Sequence, residues 1–342
     1  MSHQWPCLPC PMPIKVRHLG YNLGQNMLYF YRNWTLPLAI VAGSVAYLML
    51  KHIQAFQPYH SALFALSEWS MPSLIFTMLL LTFSRVAPSD LRLRSWQWPL
   101  IAVQALLATT VVAVVHAMGL KGESLALAQG LLVCFVAPTA TAATVIVSKL
   151  STSSDAGAVS VHVLLQGVVV SALIALLFPS VTQSTHLSSW LLSWQLMIQV
   201  ARLLLLPLSL AWLIRYTYSR LHSALYKRSG WSFYLWSIAL ALVTVKTLHL
   251  MATAPTHSLL LAHAGMALVA CMLNFGIGRL IGKRYGAGLA AGQALGQKNT
   301  IFAIWLAYAY LLPTASFVPG AYVIWQNTFN AWQLWRERKA RV

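Results

Sequence analysis

Acidic residues are scarce in this chain: five Asp and Glu stand against 23 Lys and Arg in 342 residues. Glu68, Asp90, Glu123, Asp155 and Glu337 are all expected near helix ends or in loops, which excludes two-carboxylate chemistry inside an apolar interior. Cysteine is rarer still, with four residues. Cys7 and Cys10 form a CxxC, but only His3 and His18 lie nearby, and a metal site wants about four ligands. Cys134 and Cys271 fall in apolar stretches and read as inert packing. The eleven histidines form no HExxH and no His-rich box. His116, His162 and His263 fall within or at the ends of expected helices, where a lone His usually packs with one hydrogen bond. The chain therefore does not read as a metal-dependent enzyme of the membrane. A lipid-processing enzyme would also need a paired nucleophile and base, and none is apparent.

Two further absences bear on architecture. No stretch shows the alternating ten-residue pattern of an outer-membrane barrel. Residues 1–33, rich in Pro and aromatics, lack the continuous apolar core of a signal peptide and are expected to form a cytoplasmic tail. Whether Met1 or Met27 is the start is left open by the sequence.

Apolar residues are abundant. With 58% hydrophobic residues, 8% charged and a mean hydropathy of +0.67, the composition is that of a multi-pass membrane protein. Windows of about 17 to 25 apolar residues fall near 34–52, 70–85, 97–118, 125–149, 156–179, 189–217, 231–251, 257–281, 287–311 and 314–335. The expected class is thus an all-α membrane protein with ten transmembrane helices, since helices keep backbone polar groups satisfied in lipid. Counting basic residues in alternate loops, with the adjoining helix ends, puts 18 on one side and only Lys51 and Lys121 on the other. That bias implies a plasma (inner) membrane location with both termini cytoplasmic, residues 336–342 being the second tail. It also accounts for most of the net charge of +18 without a nucleic-acid partner.

Three basic residues remain inside helices: Arg202, Lys246 and Lys298. Lys246 lies close enough to its helix end to snorkel. Arg202 is mid-span, and either snorkelling or a facing helix would serve it.

The expected helices also repeat. The fourth is interrupted at "APTAT", where Pro138 removes a backbone donor, and the ninth at "LGQKN". The breaks lie 158 residues apart, and the first helices of the two halves 155 apart. Residues 34–180 and 189–335 therefore read as two five-helix repeats, inverted because each crosses an odd number of times. Paired discontinuous helices in inverted repeats are the pattern of secondary transporters, with substrate held at the breaks. Helix termini at a break attract ions. Thr139, Thr141 and Thr144 at one break and Gln297, Lys298, Asn299 and Thr300 at the other supply fitting side chains. A channel would instead need a continuous polar-lined pore.

These motifs resemble the bile acid:sodium symporter family across essentially all ten helices. "APTATAATV" (137–145) resembles the family's helix-4 crossover, Pro-Gly-Gly-Thr-Ala-Ser-Asn. "GQKNTIFAIWLA" (296–307) resembles the helix-9 crossover, Glu-Val-Gly-x-Gln-Asn, and "PGAYVIWQNTFNAW" (319–332) the His-Asn segment of helix 10. The resemblance implies a six-helix core with two crossing broken helices, a four-helix panel, and exchange of organic anions by an elevator or rocking motion. It implies that Asn299 and Asn327 line the substrate cavity, and that Gln326 stands where the family often has His; Thr139 and Thr141, from the first break, are the other expected substrate-binding residues. Gln104 in "LIAVQALL" resembles a glutamine of one sodium site. The glutamate of that site, however, matches Ala294, and its second glutamine matches Lys298. The Ser-Asn pair of the other site matches Ala143 and Thr144.

A sodium ion wants an oxygen shell, and here a carboxylate is gone and an ammonium has arrived. Gln104, Thr144, Gln297, Lys298 and Thr300 are the expected coupling residues. The expectation is a carrier of small organic anions in a lipid bilayer, without cofactor and not coupled to sodium in the family's way. If Lys298 keeps its charge the carrier is uncoupled and favours anions; if it gives up a proton in the membrane the carrier is proton-linked. A sodium symporter with rearranged ligands, and a non-transporting, receptor-like relative, are the alternatives. Homo-oligomerisation is left open.

Overall fold

The computed structural model describes residues 38–53, 60–85, 92–182, 189–252 and 257–340. The expectations for the N-terminal tail, including Cys7 and Cys10, lie outside these residues, as does Asp90. The described chain is all helical: α1 (Leu38–His52), α2 (His60–Phe83), α3 (Gln97–Met118), α4 (Gly122–Val136), α5 (Ala142–Leu150), α6 (Ser153–Leu177), α7 (Ser189–Thr217), α8 (Ser219–Arg228), α9 (Trp231–Ala252), α10 (His257–Lys283), α11 (Gly288–Gly296), α12 (Thr300–Tyr310) and α13 (Phe317–Ala340).

Local chemistry sets the boundaries. Gly119 ends α3 at a φ of 58°, its N–H returning to the carbonyls of His116 and Val115. The Thr152 hydroxyl caps α6 by accepting from the Asp155 N–H, and the Asp155 carboxylate sits in the first turn, where a helix favours an anion. Four helical stretches are long and apolar enough to cross a membrane: Gln97–Met118, Ser154–Ser180, Ser193–Thr217 and Leu259–Lys283. Large apolar side chains face outward on them, including Leu106, Leu176, Leu261 and Met272, each more than 60% exposed. So much outward apolar surface suits lipid rather than water.

Two features differ from the sequence reading. The second helix begins at His60 rather than 70 and carries Glu68 inside it; the polar residues of its first turns dilute its hydropathy. An additional helix, α8, occupies part of the loop after α7. Its sequence SRLHSALYKR has no buried residue, so no apolar run announces it. Lys246 is half-buried, with Nζ 4.5 Å from the Tyr308 ring centroid. Arg202 lies on the exposed side of α7.

The interrupted helices stand where the sequence breaks them. A small-residue cluster packs α11 against α3, α5 and α6 through Leu100, Ala143, Val159, Ala290, Ala291 and Ala294. Close approach of α10 to α11 depends on Gly278 and Gly282, small residues one turn apart; a Cβ on Gly282 would lie 2.5 Å from the Ala291 Cβ and 2.6 Å from the Ala287 carbonyl oxygen.

Candidate functional site at the helix breaks

Breaking a helix strands its last carbonyls and first N–H groups, and here each break satisfies the other. The two unwound segments pair antiparallel at Thr139 and Lys298. The Ala140 N–H donates to the Gln297 carbonyl and the Asn299 N–H to the Pro138 carbonyl, both at 2.8 Å. The side chains are exchanged as well. The Thr139 hydroxyl donates to the Ala294 carbonyl of α11 at 2.5 Å, while Lys298 Nζ donates to the carbonyls of Phe135 and Ala137 at 3.0 and 3.1 Å.

Lys298 thus has a definite place. Its side chain is only 2% exposed, and its ammonium caps the C-terminal end of α4, where the helix dipole concentrates negative charge. Gln104 works beside it, Nε2 donating to the Val136 carbonyl at 3.1 Å. At the corresponding end of α11 the Tyr322 hydroxyl donates to the Gly296 carbonyl at 2.8 Å and receives the Asn274 amide at 3.1 Å. Each half-helix therefore ends on donors supplied by other elements. The groups facing the α4 carbonyls are an ammonium and an amide N–H, both donors. A sodium ion would need those carbonyls for itself and would meet the positive charge of Lys298 at close range, so this donor set does not fit sodium.

A polar row on α13 holds the second break from behind. Gln326 Oε1 accepts from the Lys298 backbone N–H at 3.1 Å, and Asn330 Nδ2 donates to Gln297 Oε1 at 2.6 Å. Gln293 Nε2 in turn donates to Asn330 Oδ1 and Gln333 Oε1, at 3.0 and 2.7 Å. Sequence reasoning does not single out Asn330, Gln333, Gln293 or Tyr322. The spacing of Gln326, Asn330 and Gln333 by four and then three residues puts them on one helical face and could have revealed the row.

The N-terminal ends of the two outgoing half-helices differ. Asn299 caps α12, Oδ1 accepting from the Phe302 N–H at 3.2 Å, and Thr300 is buried in its first turn. Thr141 opens α5 without a side-chain cap. Thr141, Ala142, Thr144 and Asn299 border a cavity of about 160 Å³, lined on its other sides by α2, α6 and the start of α9. Ser160 donates to Thr144 Oγ1 at 3.2 Å within it. Arg85 stands at the rim, its Nε donating to Ser229 Oγ at 2.5 Å. A cation, several hydroxyls and a helix N-terminus without a side-chain cap thus line one concavity, a donor-rich set of groups.

The expected residues therefore divide. Thr139, Gln297, Lys298, Gln104 and Gln326 build the crossover itself; Thr141, Thr144 and Asn299 reach the cavity. Asn327 joins neither, because its amide donates to Val323 on its own helix at 2.8 Å. His162 and His263 are buried, with contacts to Gln166 and Leu259 respectively, in keeping with packing roles. The chain matches no protein-family model and no curated protein, so the resemblance rests on the quoted motifs alone.

Proposed function

We propose that this protein is a secondary carrier of organic anions that works by alternating access in the plasma (inner) membrane, with Lys298 standing permanently where relatives of the bile acid:sodium symporter type would hold sodium. Ten crossings follow when each interrupted pair, α4–α5 and α11–α12, counts as one and the polar α8 lies along the cytoplasmic surface. The two breaks then fall at equivalent places in inverted five-helix repeats, and both termini are cytoplasmic. The single observation that carries the reading is the reciprocal crossover, in which each broken helix caps the other.

The anion sits in the cavity at the start of α5, between its N-terminal dipole and Arg85. In a sodium symporter the ion would supply positive charge and tie the crossover together. Here the tethered ammonium performs both tasks, so no ion need be loaded before the anion.

The test has two parts. Uptake of radiolabelled monocarboxylates into proteoliposomes should proceed equally in NaCl and in choline chloride of the same ionic strength, and should fall at least tenfold in Arg85→Gln. Absence of uptake for every anion tried would remove the carrier reading. Thermal stability should likewise be the same in the two salts for wild type, since a ligand stabilises only a state that binds it. Sodium stabilisation of the wild type would restore an ion-coupled symporter with rearranged ligands. A sodium response gained only by Lys298→Gln would locate the ammonium in the vacated ion site.

A further inference from the structure

We propose that α8 docks on the anionic phospholipid headgroups of the cytoplasmic leaflet, and that through Ser229 this contact sets the place of Arg85 at the cavity rim. The inference rests on the reading of the chain as a membrane carrier with α8 along its cytoplasmic surface.

The sequence SRLHSALYKR gives α8 two sides. Positions seven apart on a helix return to nearly the same line. Arg220 and Lys227 share one such line, Leu221 and Arg228 share the next one round, and all four side chains are exposed. His222, Leu225 and Ser229 follow at spacings of three and four on the other side, half-buried at the first two and fully buried at Ser229. The helix itself carries three basic side chains and no acid. Tyr218, just before it, and Leu221 present exposed apolar surface at its first turn. A short helix with bases beside apolar groups suits the interface of a bilayer, where stems and rings reach the acyl boundary and the cations meet phosphate. Its charge complements the cytoplasmic leaflet, which is the anionic one.

The inner side ties α8 to the cavity. His222 Nε2 lies 3.0 Å from the carbonyl oxygen of Ser84, the residue before Arg85. The Ser229 hydroxyl donates to the Tyr226 carbonyl at 2.6 Å and accepts from Arg85 Nε at 2.5 Å. One hydroxyl thus closes α8 and seats the guanidinium, and both residues line the cavity. A displacement of α8 therefore displaces Arg85. No residue of α8 is buried, so packing within the protein holds it weakly, and the headgroups supply the rest of the hold.

The test uses the full-length protein, native cysteines replaced and Leu221→Cys labelled with an environment-sensitive fluorophore, in vesicles of phosphatidylcholine with or without phosphatidylglycerol. Emission is expected to shift to the blue with phosphatidylglycerol and to return in high salt. Each neutralised base should weaken the response about fivefold. The triple variant Arg220→Gln, Lys227→Gln, Arg228→Gln should lose it, and the charge-keeping triple Arg220→Lys, Lys227→Arg, Arg228→Lys should retain it. Inorganic phosphate added to phosphatidylcholine vesicles should not reproduce the shift. The same emission in both vesicles, or a response undiminished in the triple Gln variant, would overturn the docking. Monocarboxylate uptake by the unlabelled protein should rise with phosphatidylglycerol, and Ser229→Ala should remove that rise while the labelled Ser229→Ala protein keeps its shift. Uptake indifferent to lipid despite the shift would overturn the link to Arg85. Absence of uptake in both vesicles, with the shift present, would count against the carrier reading and leave the docking in place.

Discussion

Lys298 shows how one side chain can settle the energetics of a buried junction. Its methylene stem is enclosed and two of its three donors end on main-chain carbonyls at the end of α4. Lys298→Met would keep most of the volume and leave those carbonyls with fewer donors. The expected loss is on the order of 2 kcal/mol, the cost of stranding buried acceptors, read as a lowered midpoint in thermal denaturation of the purified protein. Lys298→Arg should not rescue it, because a guanidinium brings five donors in a rigid plane to a space fitted around a single nitrogen. A midpoint equal to wild type in Lys298→Met would mean that Gln104 and the dipole suffice without the ammonium. Tyr322 offers a companion test at the other half-helix. Tyr322→Phe removes one hydroxyl, which both donates to Gly296 and accepts from Asn274, and should cost about 1–2 kcal/mol by the same argument.

At the scale of elements, the breaks work only if the half-helices are held close, and glycine makes that possible. Gly282→Ala would push a methyl into Ala291 and the Ala287 carbonyl, moving α10 off α11 and disturbing the helix whose Ala294 carbonyl receives Thr139. Overpacking of this kind costs about 1–3 kcal/mol. Gly276→Ala on the same helix meets nothing within 4 Å and should leave the denaturation midpoint unchanged or slightly raised, since alanine favours helix. Elements are also where the sequence is most informative. Pro138 and the "LGQKN" run announce both interruptions, because a helix-breaking or strongly polar residue inside an apolar window is costly unless the helix opens there. The partners of the breaks are harder to read. Gln326 is visible as a polar residue in an apolar helix, but its target is the backbone N–H of Lys298, which exists as an unsatisfied donor only once the second helix is broken. Tyr322 gives no signal at all, since a tyrosine among Val, Ile and Trp reads as filler.

For the molecule as a whole, the distribution of charge carries an orientation that can be checked directly. Lys121 precedes α4, and Lys227 sits on α8, the solvent-exposed helix between α7 and α9. If the interrupted pairs each cross once, these positions lie on opposite sides of the bilayer, with α8 on the basic, cytoplasmic side. Single cysteines at Lys121→Cys and Lys227→Cys, in a background with the four native cysteines replaced, should react differently with a membrane-impermeant maleimide in sealed, right-side-out vesicles. The first should label at once and the second only after permeabilisation. Labelling of both from the outside would mean that an even number of crossings separates them, and the two halves could not then be inverted repeats of five.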